Sequence, residues 1–211
     1  MTDTNTTMEA PNHHGDHPGF RGVGGLVAAV SFLLGRSDDA RLACELAAIG
    51  AGDRVVDVGC GAGVAVRAAR RAGAQATGVD PAPAMLRVAR LTSARPTTTS
   101  AAATWTEGVA EALPVDDGAA TVVWSIATVH HWQDVDLGLA EAYRVLAPGG
   151  RFLAIERRRR PGSTGHASHG WTDAQADAFG AACVDAGFGD VVVERRDVRR
   201  GVLLCVRAVR R

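Results

Sequence analysis

Val55-Val56-Asp57-Val58-Gly59-Cys60-Gly61-Ala62-Gly63 is the stretch that decides the reading of this chain. An apolar run carries an acid and then bends through three glycines spaced two apart. A second apolar run, 76–79, ends at Asp80. The order is strand, glycine turn, helix, strand, acid. Glycines permit a tight turn and let the backbone approach a ligand closely. The helix that follows presents unbonded N–H groups to a polar or anionic group. An acid closing the next strand can accept hydrogen bonds from ribose hydroxyls. The unit predicts a nucleoside-containing cofactor.

Two cofactor classes compete. A dinucleotide site wants Gly-x-Gly-x-x-Gly, whose third glycine packs helix on strand. Val64 stands there instead. Asp57, just ahead of the first glycine, would repel a pyrophosphate. It suits a cofactor with a cationic end. S-adenosylmethionine has an ammonium group, a sulfonium and no phosphate.

With these residues and several further motifs, the chain resembles the class I S-adenosylmethionine-dependent methyltransferases, in their broad small-molecule group. The resemblance runs from about Leu46 to Glu156. It rests on the glycine stretch, on Gly78-Val79-Asp80-Pro81 and on Met85-Leu86. It continues through Ala110-Glu111-Ala112-Leu113-Pro114, His130-His131-Trp132 and 144–150, Arg-Val-Leu-Ala-Pro-Gly-Gly. Order and spacing carry more weight than any one motif.

The resemblance implies roles for individual residues. Gly59, Cys60 and Gly61 line the methionine portion of the cofactor, and Cys60 needs only a small side chain there. Asp57 faces the amino end. Asp80 holds the ribose hydroxyls. Pro81 packs on the adenine, with Met85 supporting that side or simply filling core. Ala110 and Glu111 lie at the adenine edge, and the Ser125 carbonyl accepts from the ammonium. Two departures stand out. Val109 replaces an acid that many relatives aim at the adenine amino group, and Ala120-Thr121 replaces a frequent Phe-Asp.

Methyl transfer is an in-line displacement with a good leaving group, so geometry supplies much of the catalysis. A base is needed only when the acceptor must lose a proton. His130 and His131 follow the fourth strand, at the end where open parallel sheets bind ligands. They are the candidate catalytic residues, set against plain pocket shaping. His166 and His169 border the same side on a Gly/Ser-rich loop, for which a solvated loop is the plainer reading.

The remaining pattern alternates strands and helices, which predicts an α/β, Rossmann-like, doubly wound and mostly parallel sheet. The resemblance makes it seven-stranded with the last strand antiparallel. Expected strands lie at 54–58, 76–79, 104–107, 121–126, 151–156, 191–195 and 202–209. Expected helices lie at 63–72, 83–94, 136–146 and 172–187, the last opened by a Thr172/Gln175 capping box. Pro148-Gly149-Gly150 should stop the helix before the fifth strand.

The 211 residues, 46% of them apolar, suit one globular domain. Residues 1–18 read as a disordered tail and 19–211 as a single methyltransferase domain. Within it, 19–45 form a helical lid, 46–156 the cofactor core and 157–211 a closing helix and strand pair. His13, His14, Asp16 and His17 are metal-ligand types, but a solvated tail is the simpler reading. Cys44, Cys60, Cys183 and Cys205 lack zinc spacing, so no metal is expected.

The balance of 23 basic and 23 acidic residues demands neither nucleic acid nor membrane. No secretory signal is visible, and the apolar segment at 22–35 is too short to span a bilayer. A cytoplasmic monomer or homodimer acting on a small-molecule methyl acceptor is expected. Two alternatives remain: a non-catalytic cofactor-binding regulator, and an RNA-modifying methyltransferase using a basic face around Arg157–Arg160. A solvated surface is the plainer reading of that arginine run.

Overall fold

Apolar strands bounded by turns build the centre of the molecule. A computed structural model describes residues 10–15, 37–93 and 103–211. The strands are β1 (Arg54–Val58), β2 (Gln75–Asp80), β3 (Ala103–Glu107), β4 (Ala120–Ile126), β5 (Leu146–Arg157), β6 (Phe188–Val198) and β7 (Gly201–Arg210). The helices are α1 (Ser37–Leu46), α2 (Val64–Arg71), α3 (Pro83–Ser93), α4 (Val135–Val145) and α5 (Asp173–Asp185). The strands form one seven-stranded sheet in the order β3-β2-β1-β4-β5-β7-β6. β1 pairs parallel with β2 and β4, and β7 runs antiparallel to both β5 and β6. The expected architecture is the observed one.

Both faces of the sheet are covered, which is why β4 is buried on both sides and mostly apolar. Side chains alternate across the sheet. Val123, Phe152 and Ala154 point to one face, where Leu139, Ala142 and Val145 of α4 and Ala176, Phe179 and Cys183 of α5 cover them. Val122, Trp124, Leu153 and Ile155 point to the other, against Ala40 and Ala43 of α1, Val66 and Ala69 of α2 and Leu86 of α3.

α5 starts where the capping box predicts. Thr172 accepts a hydrogen bond from the Gln175 N–H, and the Gln175 side chain accepts from the Thr172 N–H. Thr172→Ala is expected to cost about 1 kcal/mol of stability through loss of this cap, read as a lower midpoint in urea unfolding.

Three expectations change. Pro148-Gly149-Gly150 lies inside β5 rather than ahead of it. Leu146 pairs with Ala120 and Arg151 with Val122, so a bulge absorbs the extra residues, with Gly149 at φ 75°. The second concerns one residue of the arginine run: Arg157, Arg158 and Arg160 are exposed as expected, but Arg159 is not. Arg159 is buried and donates to Gln175 Oε1, while Arg158 and Arg195 both pair with Asp173.

The third change is in the tail. Residues 10–15 form a turn seated on the body. Trp171 Nε1 donates to the Pro11 carbonyl at 2.9 Å, Gln175 Nε2 to Ala10 at 2.7 Å and Asn12 Nδ2 to Gln133 at 3.1 Å. Polar tail residues gain an ordered place because buried donors at Trp171 and Gln175 need acceptors. The lid reading at 20–35, and Asp16 and His17, lie outside the described residues. Among the described residues, no helix is long and apolar enough to cross a membrane.

Candidate active site

The parallel strands end on one edge, and the loops that leave them meet there. The glycine turn after β1 has φ of 75° at Gly59, 51° at Gly61 and 77° at Gly63. These are left-handed values that glycine adopts without strain. The N–H groups of Gly59 and Cys60 both donate to the Val79 carbonyl, at 2.8 and 3.0 Å. A Cβ on Gly59 would sit 2.6 Å from Thr128, and one on Gly63 would sit 2.3 Å from the Trp105 ring. A Cβ on Gly61 would meet nothing within 4 Å. The outer glycines are needed for packing, and the middle one faces open space where a ligand can approach.

Asp80 closes β2 beside this turn and is 7% exposed. Its Oδ2 accepts from the Gly61 N–H and its Oδ1 from the Ala82 N–H, each at 2.8 Å. Burial raises its pKa, and the two N–H groups offset part of that. Asp57 is buried in β1 nearby. Two buried carboxylates at the mouth disfavour a phosphate and suit a cationic amino group with ribose hydroxyls. The donor set fits S-adenosylmethionine. Burial, then Asp57 and Asp80, push the Cys60 thiol well above its ordinary pKa, so it stays protonated and inert.

Pro81, just after β2, is exposed, and Ala110 is buried. Met85 is buried against Ala62, with Ala82 and Val88 around them, so it fills core. Glu111, half-buried in the loop after β3, reaches across to the segment that follows the histidines. Its Oε1 accepts from the Gln133 N–H at 2.7 Å and the Asp134 N–H at 3.2 Å, anchoring the loop behind the histidines. Ser125 is fully buried, and its hydroxyl donates to Thr128 Oγ1 at 2.5 Å. Thr128 in turn donates to the Val58 carbonyl at 2.9 Å. This chain of bonds stitches the β4 exit to the glycine turn. Ala127 between them sits at φ 55°, a strained value held by the surroundings. Thr121 lies at the opposite edge, bonded to Asp53 and to the Arg54 N–H, so that departure does not reach the cofactor side.

A group of histidines occupies the exits of β4 and β5. His130 is 2% exposed, and its Nδ1 lies 2.9 and 3.0 Å from the oxygens of the fully buried Glu156. Its Nε2 lies 3.2 Å from His169 Nδ1. His131 stands beside it, with ring centroids 4.1 Å apart. Burial, then His130, His169 and His14, push the His131 pKa down to about 3, leaving a neutral ring. His14 arrives from the N-terminal turn, its N–H donating to the His130 carbonyl at 2.8 Å.

Sequence reasoning placed His130 and His131 here but missed Glu156, Thr128 and the contribution of His14. It also set His169 in a solvated loop. Glu156 had a signal, as an acid closing the apolar run 152–155 on the face shared by Phe152 and Ala154. The side chain of His166 lies outside the described residues.

Comparison with known proteins agrees with the geometry. Residues 56–154 match the family model of the methyltransferase domain. A demethylmenaquinone methyltransferase of Tropheryma whipplei (strain Twist) is 35% identical over 118 residues, 55% of this chain and 46% of that protein. A malonyl-[acyl-carrier protein] O-methyltransferase of Serratia marcescens is 37% identical over 102 residues, 48% of this chain and 37% of that protein. The chain thus spans about half the length, or less, of these curated relatives. Among solved structures, a chain from the complex of the Haloferax volcanii Trm112 methyltransferase activator with a methyltransferase shares the fold. It has a TM-score of 0.69 and 24% identity, with 88% of this chain and 96% of that one covered. The glycine turn, the buried Asp80 and the sheet order agree with the match of residues 56–154 to the methyltransferase domain, and this core is similar to those of S-adenosylmethionine-dependent methyltransferases.

Proposed function

We propose that the chain transfers the methyl group of S-adenosylmethionine to a small organic acceptor. The observation that carries this reading is Asp80, buried at the edge of β2 and braced by the Gly61 and Ala82 N–H groups. When bound, S-adenosylmethionine supplies a methyl carbon on a sulfonium, a good leaving group. Asp80 holds the ribose through its carboxylate, and Asp57 faces the amino end. Gly61 lets the methionine portion lie against the backbone. Pro81 and Ala110 bound the adenine. The acceptor approaches from the exits of β4 and β5, where the loops hold it in line with the methyl group.

Of the two readings of His130 and His131, general base and pocket shaping, their surroundings favour pocket shaping. Both ring nitrogens of His130 are engaged, with Glu156 and with His169. His131 is too weakly basic at about 3. The proposed transfer therefore relies on positioning and takes an acceptor that is nucleophilic without a histidine base. The named activities of the relatives, on demethylmenaquinone and on a malonyl group, support a small acceptor. The ion pairs and burial of Arg158 and Arg159 weigh against an RNA-binding face.

Calorimetric titration with S-adenosylhomocysteine tests the cofactor site. Micromolar binding is expected. Asp80→Ala should weaken it by at least about 100-fold, the worth of hydrogen bonds to a charged acceptor. The variant's urea transition serves as the control for folding. A folded wild-type protein that binds no S-adenosylhomocysteine would sink the reading. Methylated product from any metabolite in a screen would exclude a purely regulatory role.

A further inference from the structure

We propose that His14, His130, His131 and His169 bind one divalent transition-metal ion of the zinc type, as a closed four-imidazole site. Their ligand atoms all lie within 4.8 Å of one another. Ring centroids are separated by between 4.1 Å, for His130 and His131, and 5.7 Å, for His14 with either of them. Tetrahedral zinc holds nitrogen at ~2.0–2.1 Å, which sets neighbouring nitrogens ~3.3 Å apart. The 3.2 Å between His130 Nε2 and His169 Nδ1 is already such an edge. The widest pair must close by about 1.5 Å to reach that geometry, a change within reach of ring rotation.

The surroundings prepare the ligands. Glu156 takes the Nδ1 proton of His130 and directs the Nε2 lone pair into the cluster, as carboxylates do behind metal-bound histidines. Ser168 Oγ donates to the Gly165 carbonyl at 2.6 Å, so at 3.2 Å from His14 Nε2 it accepts from that ring. His14 is thereby the Nε2–H tautomer, with its lone pair on Nδ1. His13 shows the contrast. Its Nε2 donates to the Ser168 carbonyl at 2.9 Å, and its Nδ1 accepts from Gln175 Nε2 at 3.1 Å. His13 latches the turn while His14 delivers a ligand. Gly15 makes the fit possible, because a Cβ there would lie 2.6 Å from the Trp132 carbonyl.

Imidazole ligands suit zinc, copper, nickel and iron, and a full set of four protein ligands marks a structural centre. The ion would join three loops that are distant in sequence: the N-terminal turn, the β4 exit and the loop after β5. It would pin the turn over the acceptor side of the domain. The inference stands apart from the methyl-transfer reading, because metal binding is read directly.

The test uses tag-free, full-length protein stripped with a chelator and titrated with cobalt(II). Four-coordinate ligand-field absorption should saturate at one ion per chain and disappear when zinc is added. His14→Ala and His169→Ala should each weaken cobalt binding by at least about 100-fold. Glu156→Gln should weaken it by about 10- to 100-fold, as for other groups behind metal ligands. Hydrogen exchange at residues 10–15 should slow with zinc and speed up again with chelator. A folded stripped protein with no saturable cobalt absorption would overturn the proposal and leave a hydrogen-bonded Glu156–His130–His169 chain in its place. Binding that persists unchanged in both histidine variants would overturn it equally.

Discussion

Phe179→Ala is expected to lower the unfolding free energy by about 3–5 kcal/mol, the range for emptying a buried aromatic site. Phe179 is fully buried on α5. Its ring lies 4.8 Å from that of Trp171 and 6.1 Å from those of Trp132 and Phe152. Such aromatic pairs add attraction beyond their buried area. Three large rings cannot close over the hole without leaving their own contacts, so relaxation recovers little of the loss. Urea unfolding should report it as a lower midpoint with an unchanged slope. A loss below about 1.5 kcal/mol would mean that the aromatic cluster is plastic and collapses into the cavity. The same rings support the site. Trp171 carries the N–H that holds the Pro11 carbonyl, and Trp132 follows the two histidines directly. The variant should therefore also loosen the N-terminal turn, seen as faster exchange at residues 10–15.

Gly170→Ala should be nearly as damaging, by a different route. Gly170 sits at φ 110°, where an L side chain is strained, and its added Cβ would lie 2.1 Å from the Arg157 carbonyl oxygen. The obstruction is backbone at the end of β5, so no rotamer change relieves it. Strain and overpacking together should cost about 2–5 kcal/mol. The residue also sets the position of its neighbours. Trp171 N–H donates to the Arg157 carbonyl at 2.9 Å and Arg159 N–H to the Trp171 carbonyl at 2.8 Å, which fixes the chain just after His169. Cobalt affinity should fall together with stability. An alanine variant with wild-type unfolding would show that the loop shifts freely and that His169 is not held by it.

These two positions differ in how far the sequence reveals them. Phe179 reads as a core residue of a capped helix. Gly170 reads as one more glycine in a polar loop, and its necessity depends on a carbonyl that folding brings close. The same contrast separates the two acids of greatest interest. Asp80 is legible because the ribose-binding acid follows the glycine turn at a short, regular interval. Glu156 closes a strand in the same way, but its partner His130 lies on another loop, and nothing in the spacing links them.

Local patterns determined much of this protein by sequence alone. The glycine turn, the β2 acid, the capping box at Thr172 and the apolar run of β4 each depend on interactions within a few residues or on burial by alternation. They suffice for the doubly wound sheet and its cofactor edge. What tertiary structure alone decided is the meaning of residues whose partners are remote. Arg159 is buried because Gln175 accepts from it. Glu111 anchors residues 133–134 because the loop after β3 crosses behind the histidines. His14 and His169 meet His130 and His131 because buried donors on Trp171 and Gln175 seat a polar tail on the body. A buried hydrogen-bonding group must find a partner wherever the fold supplies one. That choice is made in space, and a one-dimensional pattern carries no record of it.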